Sequence, residues 1–452
     1  MSGARKPLQG LTSAIKERLI QDSLQRRLRK AEEDRQLPRA ESELEPRADG
    51  IPEAWYRFDQ HPGFKQIRIL SEGAARLGLA NPYFRVHAGS AGASTVIDGA
   101  QYLNYSSYNY LGLAGHPAVN AAAKAAVDRY GTSASASRLV SGERPIHREL
   151  ERALADVHGV DDCVVFVSGH ATNVSTIGQL FGPRDLVVHD ALIHNSALLG
   201  IQLSGAKRMP FPHNDPQAAD RLLTECRRQF ERVLIVLEGI YSMDGDFPDL
   251  PRFIEVKQRH RAFLMVDEAH SLGVLGDRGL GIQEHFGLRG TDVDIWMGTL
   301  SKTLASCGGY IAGERALIEH LKCAAPGFVY SVGMPPPAAA AALAALQVLR
   351  AEPWRAQRLR DRGRRFLELA RTLGIDTGSS CGLSVIPAIT GSSLKATRLS
   401  EALDRRRINV QPIVYPAVPE RSARLRFFVS SEHTEDQIGS TVEALADELR
   451  RL

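Results

Sequence analysis

Between residues 117 and about 325, helical stretches alternate with short apolar runs at 163–167, 186–189, 233–237, 263–266 and 295–297. Near-continuous apolar strands separated by helices predict a mostly parallel sheet covered on both faces. Pro335-Pro336-Pro337 punctuates the chain, and the alanine-rich stretch 338–349 after it reads as a packed helix. A smaller α/β unit is expected next, with helices near 354–372 and 394–407, strands at 384–389, 409–415 and 425–429, and a last helix from about Glu435. Ahead of the alternating region, the 83–87 segment, a Gly/Ser/Ala turn at 89–93 and the run 95–99 predict a hairpin. Leu11, Ile15, Leu19, Leu24 and Leu28 recur at helical spacing among charged residues, up to Leu37-Pro38, and 42–50 reads as a linker. The expected organisation is a charged extension and linker over 1–60, a segment with the hairpin over 61–116, a large domain over 117–337 and a smaller one over 338–452.

Composition narrows the class. With 452 residues, 43% hydrophobic and 24% charged, the chain can bury a sizeable core. A net charge of +4 is small for this length, so no nucleic-acid partner is expected. The five cysteines, Cys163, Cys226, Cys307, Cys323 and Cys381, are odd in number and form no Cys-x-x-Cys pair. That speaks against a disulfide framework and a metal site, and for free thiols in a reducing compartment. No apolar run reaches the roughly 18–20 residues of a membrane span, and no apolar signal core follows the amino terminus. A cytoplasmic protein is expected.

The candidate chemistry sits at strand ends. Asp267-Glu268-Ala269-His270 closes the apolar run 262–266, and Gly298-Thr299-Leu300-Ser301-Lys302-Thr303 follows the next. An acid at a strand end and a lysine on a small-residue loop are what pyridoxal phosphate (PLP) needs, one to hold its ring nitrogen protonated and one to form the Schiff base. Singly, such a lysine is more often solvated and such an acid a helix cap. The Asp-Glu-Ala-His string also marks helicase-type ATPases, which require a Gly-x-x-x-x-Gly-Lys-Ser/Thr loop. Here Ser301 precedes Lys302, Trp296 stands in place of the first glycine, and no Gly-Lys pair occurs in the chain.

Further motifs occur in a fixed order: Ser106-Ser107-Tyr108-Asn109-Tyr110-Leu111-Gly112-Leu113, Ser168-Gly169-His170-Ala171-Thr172-Asn173, Ser242-Met243-Asp244-Gly245-Asp246, the Asp267 and Lys302 segments, and Ala423-Arg424-Leu425-Arg426. From about Tyr83 to the carboxyl end the chain resembles the α-oxoamine synthases, PLP-dependent enzymes of fold type I. The resemblance implies a large, mostly parallel sheet domain with a smaller C-terminal α/β domain. It also implies a homodimer, and the decarboxylative condensation of a small α-amino acid with an acyl thioester on CoA or an acyl carrier protein.

The resemblance carries roles to individual residues. Lys302 is expected to hold PLP and then remove the α proton, and Asp267 to face the pyridine nitrogen. His270 and Ser242 are expected at the cofactor's phenolic oxygen. His194, in His189-Asp190-Ala191-Leu192-Ile193-His194, is expected over the ring, donating to substrate. Gly169, His170 and Thr299 are expected to bind the phosphate, and Arg426 and Asn109 the substrate.

Departures bear on substrate. Tyr108-Asn109-Tyr110 is more like serine palmitoyltransferases than like the biotin-precursor enzymes, and Ala417 replaces a threonine that in the latter lies near the acyl carboxylate. Val332 and Gly333 follow Tyr330-Ser331 where relatives carry a hydroxyl for the neighbouring subunit's phosphate. Segments 301–310 and 409–416 look most like synthase modules of polyketide assembly lines. Arg26, Arg27, Arg29 and Lys30 could then meet an acidic carrier protein. A serine palmitoyltransferase-like enzyme, an 8-amino-7-oxononanoate synthase, a plain aminotransferase and an inactive scaffold are the alternatives.

Overall fold

The computed structural model describes residues 51–452. The expected amino-terminal helix, the 42–50 linker and the basic cluster Arg26, Arg27, Arg29 and Lys30 lie outside the described residues. Residues 51–84 belong to one compact unit and 85–452 to another. The first contains two short 3-10 turns and the helix Pro62–Arg76, which starts on a proline with His61 accepting from the Gly63 amide.

In the second unit, β1 (His87–Ala88), β2 (Ser94–Ile97) and β3 (Ala100–Asn104) form a small sheet. β1 and β2 pair as the expected hairpin across 89–93, with His87 opposite Ile97, and a second turn at Asp98-Gly99 joins β2 to β3. Both turn residues have positive φ, +51° and +76°, the left-handed pair that a two-residue turn matching strand twist requires.

Seven strands make the main sheet: β4 (Asp162–Phe166), β5 (Leu186–Asp190), β6 (Lys207–Phe211), β7 (Val233–Glu238), β8 (Phe263–Asp267), β9 (Ile295–Thr299) and β10 (Gly309–Gly313). Their order is β4-β10-β9-β8-β7-β5-β6, and only β10 runs against its neighbours. Alternate residues feed two cores. Val233, Ile235 and Leu237 of β7 join one face with Phe253, while Leu234 and Val236 join the other with Ile177 and Ile201. Burial on both faces is why these strands read as unbroken apolar runs.

Strands β6 and β10 are additional to those the runs predict. β6 is an edge strand, and its Lys207, Arg208 and Pro210 break any apolar run.

A third sheet joins β11 (Val385–Ile389), β13 (Pro412–Ile413) and β14 (Arg424–Phe428), while β12 (Ile408–Asn409) extends the first sheet beside β3. The single strand expected over 409–415 is thus two short ones in different sheets. Pro412, with no N–H to continue a ladder, opens the second at a sheet edge. Helices Trp354–Thr372, Ser393–Arg405 and Glu435–Arg451 accompany the third sheet. Helix Pro336–Ala351 packs through buried Ala339, Ala342 and Ala345 against helices Pro117–Tyr130 and Pro145–His158. The fold is α/β, with the large and smaller sheets the sequence implies.

Candidate active site

β4, β5, β7, β8 and β9 run in one direction, so the segments leaving their carboxyl ends lie along one edge of the sheet, where α/β folds bind ligands. Those segments carry Gly169, His194, Ser242, His270 and Lys302.

Ser168 caps the helix Gly169–Leu180, whose first-turn amides have no intrahelical partner. Thr299, ending β9, places Oγ1 2.7 Å from Ser301 Oγ and donates to the Gly308 carbonyl at 3.0 Å. A Cβ on Gly169 would fall 2.8 Å from Thr299 Oγ1, and one on Gly309 would fall 2.4 Å from Thr172 Oγ1. Glycine at these two positions lets the helix amino terminus approach β9 and β10 closely, and the helix's first-turn amides suit a dianionic phosphate.

Asp267 ends β8 and is buried. Its Oδ2 accepts from Asn173 Nδ2 at 2.9 Å and its Oδ1 from the Ala269 amide at 3.0 Å. Lys302 Nζ lies 5.6 Å from the centre of the Tyr108 ring, and no hydrogen bond or ion pair holds it among the described residues. Burial lowers the Lys302 pKa below the ordinary lysine range; Asp267 and Glu238 oppose this and Arg426 adds to it.

His194 faces the cleft, its Nδ1 2.7 Å from Ser196 Oγ. Its surroundings disfavour the cation, first by desolvation and then through Lys302, His170 and Arg426, against Asp267. His270 is buried, with Nδ1 2.7 Å from Tyr110 Oη. Burial, with the charges of Lys302 and Arg426, holds its pKa far below the usual value, so the imidazole is neutral.

Arg426 donates from Nη1 to the Ser242 carbonyl at 3.0 Å, and its guanidinium lies 4.6 Å from the centre of the Phe428 ring. Its buried Nε has no partner, which leaves an edge of the fork for a carboxylate. The Ser242 amide donates to Glu238 Oε2 at 3.3 Å.

Asn109 does not join this group. Its Nδ2 donates to the Ala91 carbonyl at 2.7 Å and its Oδ1 accepts from the Ala114 amide at 3.1 Å. The expected substrate ligand is therefore a buried staple between two loops, because both ends of its amide meet backbone groups. Conversely, Glu238, Asn173, Ser196 and Tyr110 border the site without having been singled out. Glu238 had the same signal as Asp267, an acid closing an apolar strand.

The family model for aminotransferase class I and II matches residues 100–445. The chain belongs to that family. It is 40% identical over 380 residues to the 8-amino-7-oxononanoate synthase of Symbiobacterium thermophilum, covering 84% of this chain and 96% of that enzyme. With the corresponding enzyme of Thermoanaerobacter pseudethanolicus it shares 37% identity over 354 residues, covering 78% of this chain and 89% of that one. Among solved structures, the serine palmitoyltransferase of S. paucimobilis with PLP and myriocin bound superposes with a TM-score of 0.82 at 28% identity, covering 86% of this chain and 98% of that one. The protein is an α-oxoamine synthase, a PLP-dependent acyltransferase. Its own residues fit PLP: glycines where a helix amino terminus meets Thr299, an acid at the neighbouring strand end and a lysine without a partner among the described residues.

Proposed function

We propose that this α-oxoamine synthase condenses a small α-amino acid with an acyl thioester, releasing CO2, the thiol and an α-amino ketone. The observation that carries the reading is the Lys302 amine, without a partner among the described residues, in electrostatic reach of Asp267, His194, His270 and Arg426.

PLP, when bound, supplies the electron sink for the carbanion at the amino acid's α carbon. Lys302, its pKa lowered by burial, is the base that takes the α proton. Asp267 would accept from the ring nitrogen, while Gly169, His170 and Thr299 would hold the phosphate. Neutral His270, with Ser242, would hold the phenolic oxygen. Arg426 clamps the amino acid carboxylate, its guanidinium backed by Phe428. His194 donates to that carboxylate and then to the oxyanion that develops on the thioester carbonyl. In this reading 117–337 holds the cofactor and 338–452 supplies Arg426.

Ala417 is exposed and offers only a methyl group, which supports an acyl chain without a distal carboxylate. The acyl donor we favour is carried on an acyl carrier protein, in polyketide-type metabolism, with CoA as the other form of thioester. A homodimer accounts for the exposed Leu139, Val140, Tyr330 and Val332, which are 54%, 81%, 87% and 50% accessible. A cytoplasmic location suits the free cysteines. No helix among the described residues is long and apolar enough to cross a membrane.

A second reading, 8-amino-7-oxononanoate synthesis, is favoured by the 40% identity to such an enzyme. Product mass spectrometry separates the two, using glycine, alanine and serine against CoA- and carrier-bound acyl groups, with and without a distal carboxylate. The proposal predicts an α-amino ketone from a monocarboxylic acyl donor without any keto acid. Turnover confined to the dicarboxylic donor supports the second reading, and conversion of the cofactor to its amine form by amino acid alone indicates an aminotransferase.

A further inference from the structure

Behind the cleft, a chain of side chains connects the two functional groups on β8 and after β5. Asn173 lies in the helix Gly169–Leu180 and Ser196 in the first turn of the helix Asn195–Ser204, which packs against it. Each is 1% accessible. Asn173 Nδ2 lies 2.9 Å from Asp267 Oδ2 and 2.9 Å from Ser196 Oγ, and Ser196 Oγ lies 2.7 Å from His194 Nδ1.

We propose that Asn173 and Ser196 are positioning residues that fix which nitrogen of His194 carries its proton. A carboxylate only accepts, so the amide nitrogen of Asn173 must face Asp267, and its second hydrogen goes to Ser196 Oγ. The single hydroxyl proton of Ser196 is then left to point at His194 Nδ1. The Ser196 amide donates to the same nitrogen at 3.3 Å. With two donors aimed at it, Nδ1 presents a lone pair, and the proton resides on Nε2. His194 thus presents Nε2–H to the cleft, the donor its assigned part in substrate binding requires.

Protonating Nδ1 would set a third hydrogen against those two donors, so the relay also disfavours the imidazolium. The charged and titratable groups around the ring are Asp267 on β8, Lys302 on its loop, His170 on the neighbouring helix and Arg426 on β14. Glu238 of β7 receives the His194 backbone amide. Among these, Lys302, His170 and Arg426 push against the cation, as burial does, and Asp267 favours it. Both relay residues are too buried for bulk water to replace a lost hydroxyl at no cost.

The inference rests on the proposed role of His194, and the test separates the two. Amino acid is titrated into the PLP-loaded, full-length enzyme at a series of pH values, with binding read from the cofactor absorbance. Ser196→Ala is expected to raise the dissociation constant about tenfold where the imidazole is neutral and to regain affinity as the pH falls, because an imidazolium donates from Nε2 whatever faces Nδ1. Ser196→Thr, which keeps the hydroxyl, is expected to restore wild-type binding. Asn173→Ala combined with Ser196→Ala is expected to bind no worse than the weaker single variant, because a broken chain cannot be broken twice. If Ser196→Ala binds within about twofold of wild type at every pH while His194→Phe binds poorly, the relay is overturned and the role of His194 stands. If His194→Phe binds like wild type, the role of His194 falls and the relay with it.

Discussion

Glu238 and Asp267 are register partners at the carboxyl ends of adjacent parallel strands, so two buried carboxyl groups stand side by side beneath the cleft. Burial, and then the charge of Asp267, raise Glu238 well above the usual carboxyl range, against the Ser242 and His194 amides and Lys302. Like charges this close are not both retained in a dry site, so Glu238 is the neutral acid of the pair.

That division predicts unequal effects of the same chemical change. Glu238→Gln copies a neutral carboxyl group and should leave kcat/KM within about threefold of wild type. Asp267→Asn removes the charge that stabilises a protonated pyridine and should reduce kcat by roughly 10³ or more. Steady-state kinetics on the two variants checks this. A loss in Glu238→Gln as large as that in Asp267→Asn would contradict the division.

Gly169→Ala places a methyl group 2.8 Å from Thr299 Oγ1. PLP should bind at least about tenfold more weakly, because Thr299 must give way where the phosphate is to be held. Equilibrium dialysis of PLP against apoenzyme measures it.

Arg426→Lys keeps the positive charge but loses the planar fork held by Ser242 and backed by Phe428. The KM for amino acid should rise roughly 10- to 100-fold while the KM for the thioester changes little. A rise in the thioester KM alone would assign Arg426 to the acyl side.

His213 lies between Asp190 Oδ1 at 2.9 Å and Asp246 Oδ2 at 3.0 Å. Burial opposes its cation, but the bonds to the two aspartates outweigh burial and push its pKa up to about 10 from the ordinary 6.5. A pKa raised by folding gives stability that is complete below about 6.5 and is lost as pH rises through about 10. The contribution is roughly 2–4 kcal/mol at its fullest. Thermal unfolding between pH 6 and 10.5 should therefore show Tm falling more steeply for wild type than for His213→Gln. Parallel curves would show that His213 is not charged in the fold.

Much of the core and site was legible because β7 and β8 are buried on both faces and end in acids. An unbroken apolar run followed by Asp267, or by the small residues around Lys302, carries both fold and chemistry in consecutive positions. What escaped depends on partners distant in the chain. β6 carries edge charges, and the strand expected over 409–415 divides at Pro412 between two sheets. The turn at Asp98-Gly99 was hidden inside an apparent strand, although Asp-Gly is itself a turn signal. Asn109 occupied a motif associated with substrate, yet Ala91 and Ala114 use both ends of its amide. The Asn173–Ser196 contact exists only because two helices pack together, and no spacing in the sequence announces it.

The account stands on covalent attachment of PLP to Lys302. Borohydride reduction of the PLP-loaded enzyme, followed by proteolysis and mass spectrometry, locates the attachment directly. The predicted result is a reduced pyridoxyl group on the peptide containing Lys302, absent from Lys302→Ala. Label on another lysine, or an unmodified Lys302 in a protein with full PLP content, would contradict it.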